Sequence, residues 1–179
     1  GRPSAYNRRW MKNKAPGWAP NKNLGAYVWS VVQPNPGRWQ SGVKLLHHIV
    51  SVRKDDPSGM ADAMSQLARL YCKFLQDWPR GAFWYQQAMA KGKRPNTEQI
   101  SELAECYFRL GSKSMAVEAL RRYGMDRMGS AGTVRLWSEM GELDRAQAVA
   151  NYMGQRGMPD HGLLAYARAC RRAGKLDEA

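Results

Sequence analysis

Acidic residues are missing from the first third of this chain. Residues 1–54 hold ten Lys and Arg (Arg2, Arg8, Arg9, Lys12, Lys14, Lys22, Arg38, Lys44, Arg53, Lys54) and no Asp or Glu. Such a stretch cannot neutralise itself. Its counter-charge comes from solvent ions or from a polyanion: RNA, DNA, an anionic membrane or an acidic protein surface. Cysteine is scarce too. Cys72, Cys106 and Cys170 are odd in number, far apart, and form no C-x-x-C pair. That argues against a disulfide framework and leaves buried reduced thiols as the expectation. No apolar run approaches the ~18 residues that a membrane-spanning helix requires.

Signatures of catalysis are lacking as well. The chain contains no G-x-x-x-x-G-K-[ST], G-x-G-x-x-G, G-x-S-x-G or H-E-x-x-H. His47 and His48 are adjacent, so on a helix they diverge by about 100° and do not easily share one metal. His161 stands where a helix starts. Surface or capping roles are expected for all three. Asp55 and Asp56 precede Pro57 and read as loop and helix-start charge, and no cleft for paired carboxylates is foreseen. No catalytic residue, metal site or cofactor is expected, and the chain reads as a non-enzyme. It opens on Gly1 rather than Met, as a processed product or a fragment does, so the lack of a leader says nothing of compartment. An intracellular setting, cytoplasmic or organellar, is favoured.

What is present is periodic. The chain has 179 residues, 44% hydrophobic and 24% charged, enough for one domain with a core. The clearest stretch is 97–123, TEQISELAECYFRLGSKSMAVEALRRY. Thr97 is placed to cap a helix, and Glu98 suits its positive end. Ile100, Leu103, Ala104 and Tyr107 then fall at i, i+3, i+4 and i+7, one face of a helix. Gly111 ends that helix, and Ser112 or Ser114 restarts the chain. Met115, Ala116, Ala119, Leu120 and Tyr123 form a second stripe. The small residues Ala104 and Ala116 fit two helices that must approach closely.

Variants of this hairpin recur. In 58–92, Ser58 is expected to cap; Met64, Leu67, Ala68 and Tyr71 form the first stripe. Trp78-Pro79 breaks the chain, with one residue more than usual in the turn, and Gly81, Tyr85 and Ala88 follow. In 130–155, Val134 and Trp137 point inward, Gly141 turns, and Ala146, Ala150 and Met153 follow. A further copy begins at 160 with Tyr166, Ala167 and Cys170. It halts at Ala179 just as its second helix should start, which points to a natural chain that continues. Residues 24–32 fit helix or strand by composition. The turn at 33–37 and the stripe Val43, Leu46, Ile49 and Val50 favour a first, weak hairpin. Gly111, Gly141 and Gly174 are 30 and 33 residues apart, the period of stacked helical hairpins.

The spacing I-x2-LA-x2-Y-x3-G-x4-A-x3-L-x2-Y resembles a tetratricopeptide repeat, and FWYQQAMAKG is similar to second helices of the related Sel1-like repeats. The resemblance implies an all-α fold: an α-solenoid of about four to five stacked helix-turn-helix repeats. It would span residues 23–179, with hairpins near 24–54, 58–92, 97–124, 130–155 and 160–179, the last incomplete. An irregular basic arm, residues 1–22, would precede it.

In such solenoids the first helix of each hairpin lines the concave face. That places Arg69 and Lys73, Glu105 and Arg109, Arg135 and Glu139, and Arg168, Arg171 and Arg172 along one groove. The implied function is a non-catalytic scaffold whose basic groove binds a protein or acidic peptide, or anchors the chain in a larger assembly. The plainer alternative is a solvated face on which Glu105/Arg109 and Arg135/Glu139 pair within their own helices.

Residues 141–179 also look like a pentatricopeptide repeat, with their M-x3-G-x-PD stop and AGKLDEA turn. That resemblance implies single-stranded RNA as the partner, with the chain as an RNA-binding protein or a component of an organellar ribonucleoprotein. In the arm, Arg8, Arg9, Trp10, Lys12, Lys14 and Trp18 combine cations with stacking surfaces, as polyanion-binding tails do. The plainer reading, which is favoured, docks both Trp side chains on the arm's own domain.

Overall fold

The structure, a computed structural model, describes residue 25 and residues 27–157, 161–172 and 174. The arm residues Arg8, Arg9, Trp10, Lys12, Lys14 and Trp18, and the chain end at Ala179, lie outside the described residues. All regular structure among the described residues is helical. The chain divides into two compact units, Gly1–Arg94 and Pro95–Ala179.

In the first unit a π-helical segment, Val28–Val32, and a 3-10 turn, Pro36–Arg38, lead into α1, Trp39–Val52. The ambiguous stretch is therefore helical. Helix α2, Pro57–Arg69, runs on as a π-helical turn, Leu70–Phe74, and α3 spans Trp78–Ala90. α2 packs against both α1 and α3. Val28, Val32, Leu46, Leu67 and Leu70 are fully buried between these elements. Gly42 sits where α1 meets the π-helical segment: a Cβ there would lie 2.5 Å from Val32 Cγ1.

The π-helical turn accounts for the extra residue noted before Trp78. The last turn of the helix widens to an i→i+5 bond, Leu75 N to Leu70 O at 2.9 Å, and so takes in one residue more than an α-turn before the helix ends. Gln76 then takes a left-handed φ of 52°, and the chain reverses into α3.

The second unit contains α4 (Thr97–Arg109), α5 (Lys113–Arg122), α6 (Ala131–Glu139), α7 (Leu143–Gln155) and α8 (His161–Arg172). α4 pairs with α5 and α6 with α7, while α8 packs on both α6 and α7. The first helices α4 and α6 also touch. Ala104, Ala116, Leu120, Val134, Trp137, Val149, Ala150 and Cys170 have no exposed surface. Trp137 satisfies its indole N–H on Met125 O at 2.8 Å. Gly111 and Gly141 turn the hairpins with φ of 84° and 79°.

Three local expectations are corrected. Asn96, not Thr97, caps α4. Its Oδ1 accepts from Gln99 N at 2.9 Å, and Gln99 Oε1 accepts from Asn96 N at 3.0 Å, a reciprocal pair that Thr97 cannot form from inside the helix. Asp56, not Ser58, caps α2, because Pro57 occupies the first helical position and Asp56 Oδ1 then reaches Gly59 N at 2.9 Å. Met115 belongs to the outer face and is 46% exposed; Ala116 and Leu120 carry the burial of α5. Cys72, Cys106 and Cys170 are free and buried. No described helix is long and apolar enough to cross a membrane.

Candidate functional site

Two groups of side chains stand out, one in each unit. The first is the charged row expected on the first helices. Because α4 and α6 lie side by side, equal positions of successive hairpins meet. Arg109 Nη2 is 2.7 Å from Glu139 and 3.5 Å from Glu105. Arg135 is 3.4 Å from Glu105 and 3.9 Å from Glu139. Each cation thus touches both carboxylates, and each carboxylate touches both cations. Both intrahelical pairs form, but the two contacts between helices close them into one neutral four-membered lattice. Lys113 continues it with a 3.3 Å pair to Glu142.

Arg168, Arg171 and Arg172 are exposed on the last turns of α8, where the helix carbonyl end favours cations. α8 packs against α6, and Arg168 follows Arg135 by 33 positions, one repeat on. Arg69 and Lys73 belong to the first unit. The Arg69 guanidinium lies 5.6 Å from the Trp29 ring centre, and Lys73 is exposed in the π-helical turn.

The second group was not foreseen. A cleft of about 700 Å³ in the first unit is lined by Gln40, His47, Tyr71, Leu75, Asp77, Arg80, Phe83 and Trp84. α1 contributes Gln40 and His47, the π-helical turn Tyr71, the connection that follows it Leu75 and Asp77, and the first turns of α3 Arg80, Phe83 and Trp84. His47 is neither a cap nor a plain surface residue. Its imidazole is half-buried, 3.0 Å from Tyr71 Oη through Nε2, with the Trp84 ring packed edge-on at 5.2 Å.

Burial, and secondarily the Arg80 charge, holds His47 below the ordinary imidazole range. Burial also raises the Tyr71 phenol; Arg80 opposes that rise and Asp77 adds to it. Asp77 caps α3 through Arg80 N at 3.2 Å and grips Arg80 Nη1 at 2.6 Å. That bond steers the exposed guanidinium over the Tyr71 ring, 5.9 Å from its centre, and raises the Arg80 pKa. Phe83 stands edge-to-face on Trp84 at 5.1 Å and is 48% exposed.

The signal for this cleft was present as aromatic density in 71–85: Tyr71, Phe74, Trp78, Phe83, Trp84 and Tyr85. Which of these rings turn outward depended on the π-helical turn, which no local spacing announces. Among the described residues, no group of three His, Cys, Asp or Glu could hold a metal ion. No known protein family, curated protein or solved structure matches the chain.

Proposed function

We propose that the chain is a non-catalytic scaffold of tetratricopeptide type, a solenoid of four to five stacked hairpins that holds an acidic protein or peptide. The observation that carries this reading is the pair of contacts Glu105–Arg135 and Arg109–Glu139. Each joins residues 30 positions apart, so successive first helices stack in register and present equivalent positions to a partner. Repeat stacking of this kind creates extended binding surfaces rather than catalytic clefts.

The lattice changes where the partner is gripped. A carboxylate arriving at Arg109 or Arg135 must compete with Glu105 and Glu139, already in place. Arg168, Arg171 and Arg172 offer exposed guanidiniums suited to bidentate carboxylate contacts, so they are the anchor. The central lattice then serves to hold α4 and α6 in register.

Fluorescence anisotropy of a labelled Glu-rich peptide tests this reading, with Arg168, Arg171 and Arg172 together changed to Glu. Loss of at least tenfold in affinity is expected, with folding checked by circular dichroism. Unchanged binding would overturn the anchor. Single-stranded RNA held through the same three arginines at physiological salt, with the peptide inert, would replace the protein partner with RNA.

A further inference from the structure

The cleft of the first unit plays no part in the scaffold reading. Half of its lining residues are aromatic (His47, Tyr71, Phe83 and Trp84), its one exposed cation is pre-oriented, and its rim contains two backbone irregularities. A π-helical turn at the end of an α-helix and a non-glycine residue in the left-handed region are both uncommon. Both recur where a site must be shaped. Here Leu70–Phe74 and Gln76 adjoin the same cleft, and together they set Tyr71 and Asp77 at its edge. The volume falls within the usual range of small-ligand sites.

Charge selects the occupant. The described residues 27–94 carry ten Lys and Arg against four Asp and no Glu, a net of +6. Four of the seven Trp lie in the same span. A cationic ligand is disfavoured in that field, and a simple inorganic anion would leave the aromatic wall unused. An anion with a flat ring attached uses both parts.

We propose that this cleft holds one nucleotide of a single-stranded nucleic acid, its base stacked on the exposed Phe83 ring with Trp84 standing perpendicular at its edge, and its phosphate on Arg80. Arg80 has five N–H donors and commits Nη1 to Asp77, so its outer edge is left for phosphate oxygens. Asp77 weakens the local attraction but fixes the fork in direction. His47 packs edge-on against Trp84 and is itself held by Tyr71. Stacking tolerates any base, so the site is expected to show little sequence preference.

The test compares a labelled eight-nucleotide RNA with an abasic phosphodiester oligomer of equal length and charge, at physiological salt. The full chain is expected to bind the RNA about tenfold more tightly than the abasic oligomer, the scale of one stacked base. Phe83→Ala, at an exposed position, should erase that preference while leaving abasic binding unchanged. Arg80→Ala should weaken both. Equal binding of the two oligomers, or a preference that survives Phe83→Ala, would overturn the proposal. So would an acidic aromatic peptide that outcompetes the RNA at the cleft. None of these variants touches Arg168, Arg171 or Arg172, so the scaffold reading stands or falls separately.

Discussion

Single residues set the tolerances of the first unit. Gly42 is the sharpest case. Alanine is the better helix former by about 1 kcal/mol, so Gly42→Ala would stabilise an isolated α1. In the fold its Cβ meets the stiff, 1% exposed Val32 at 2.5 Å. The overpacking cost, typically about 1–3 kcal/mol, should win. Urea denaturation of Gly42→Ala is expected to show a lower midpoint, and Gly42→Ala with Val32→Ala should recover part of the loss relative to Val32→Ala alone. A midpoint raised by Gly42→Ala would refute the close approach.

His47 predicts a pH dependence of known sign. Its folded-state pKa is depressed, by burial first and Arg80 second. Its stability contribution is fully present at neutral pH. As pH falls below about 6.5 the unfolded chain takes up the proton first, and stability falls until the folded ring protonates as well. Denaturation at pH 7.5 and pH 5.5 should therefore show a larger drop for the natural chain than for His47→Gln. Equal drops would assign the acid sensitivity to other groups.

At the scale of elements, helix ends separate what propensity suggests from what the chain does. The Asn96–Gln99 capping box satisfies two backbone donors at the start of α4. Asn96→Ala is expected to cost about 0.5–2 kcal/mol, whereas Thr97→Ala, at an exposed first-turn position, should stay within about 0.5 kcal/mol. Thermal denaturation of the two variants decides the matter; a larger loss for Thr97→Ala would restore Thr97 as the cap. The same logic shows in α2, where Pro57 shifts the cap to Asp56, and Arg53, 2% exposed, packs beside it at 3.2 Å.

At the scale of the whole molecule, charge is divided unequally. Nearly all of the +13 falls in residues 1–94, and residues 95–179 are close to neutral. Within the second unit, Glu105 and Glu139 hold Arg109 and Arg135 in a closed lattice. Partly exposed pairs of this kind are individually worth about 0.2–1 kcal/mol. Changing both Glu105 and Glu139 to Gln should therefore cost little stability. On the proposed scaffold reading it should strengthen binding of a Glu-rich peptide severalfold at low salt, with the gain shrinking as salt rises. Anisotropy titrations at two ionic strengths check this; weaker peptide binding by the double variant would show that the lattice contributes geometry the partner needs.

The helical hairpins of 97–123 and 130–155 were legible from the amino-acid order alone. Helix periodicity is local: Ile100, Leu103 and Ala104 share a face because of 3.6 residues per turn, whatever they pack against. Glycine at 111 and 141 marks turns for an equally local reason, since only a residue without Cβ takes positive φ freely. The neutral lattice of α4 and α6 and the cleft around His47 were decided by tertiary structure. Glu105 meets Arg135, and His47 meets Tyr71 and Trp84, only after separate helices have chosen which faces to bury. Contacts between residues 24 to 37 positions apart depend on packing and on one π-helical turn, and neither is encoded in the spacing of any single helix.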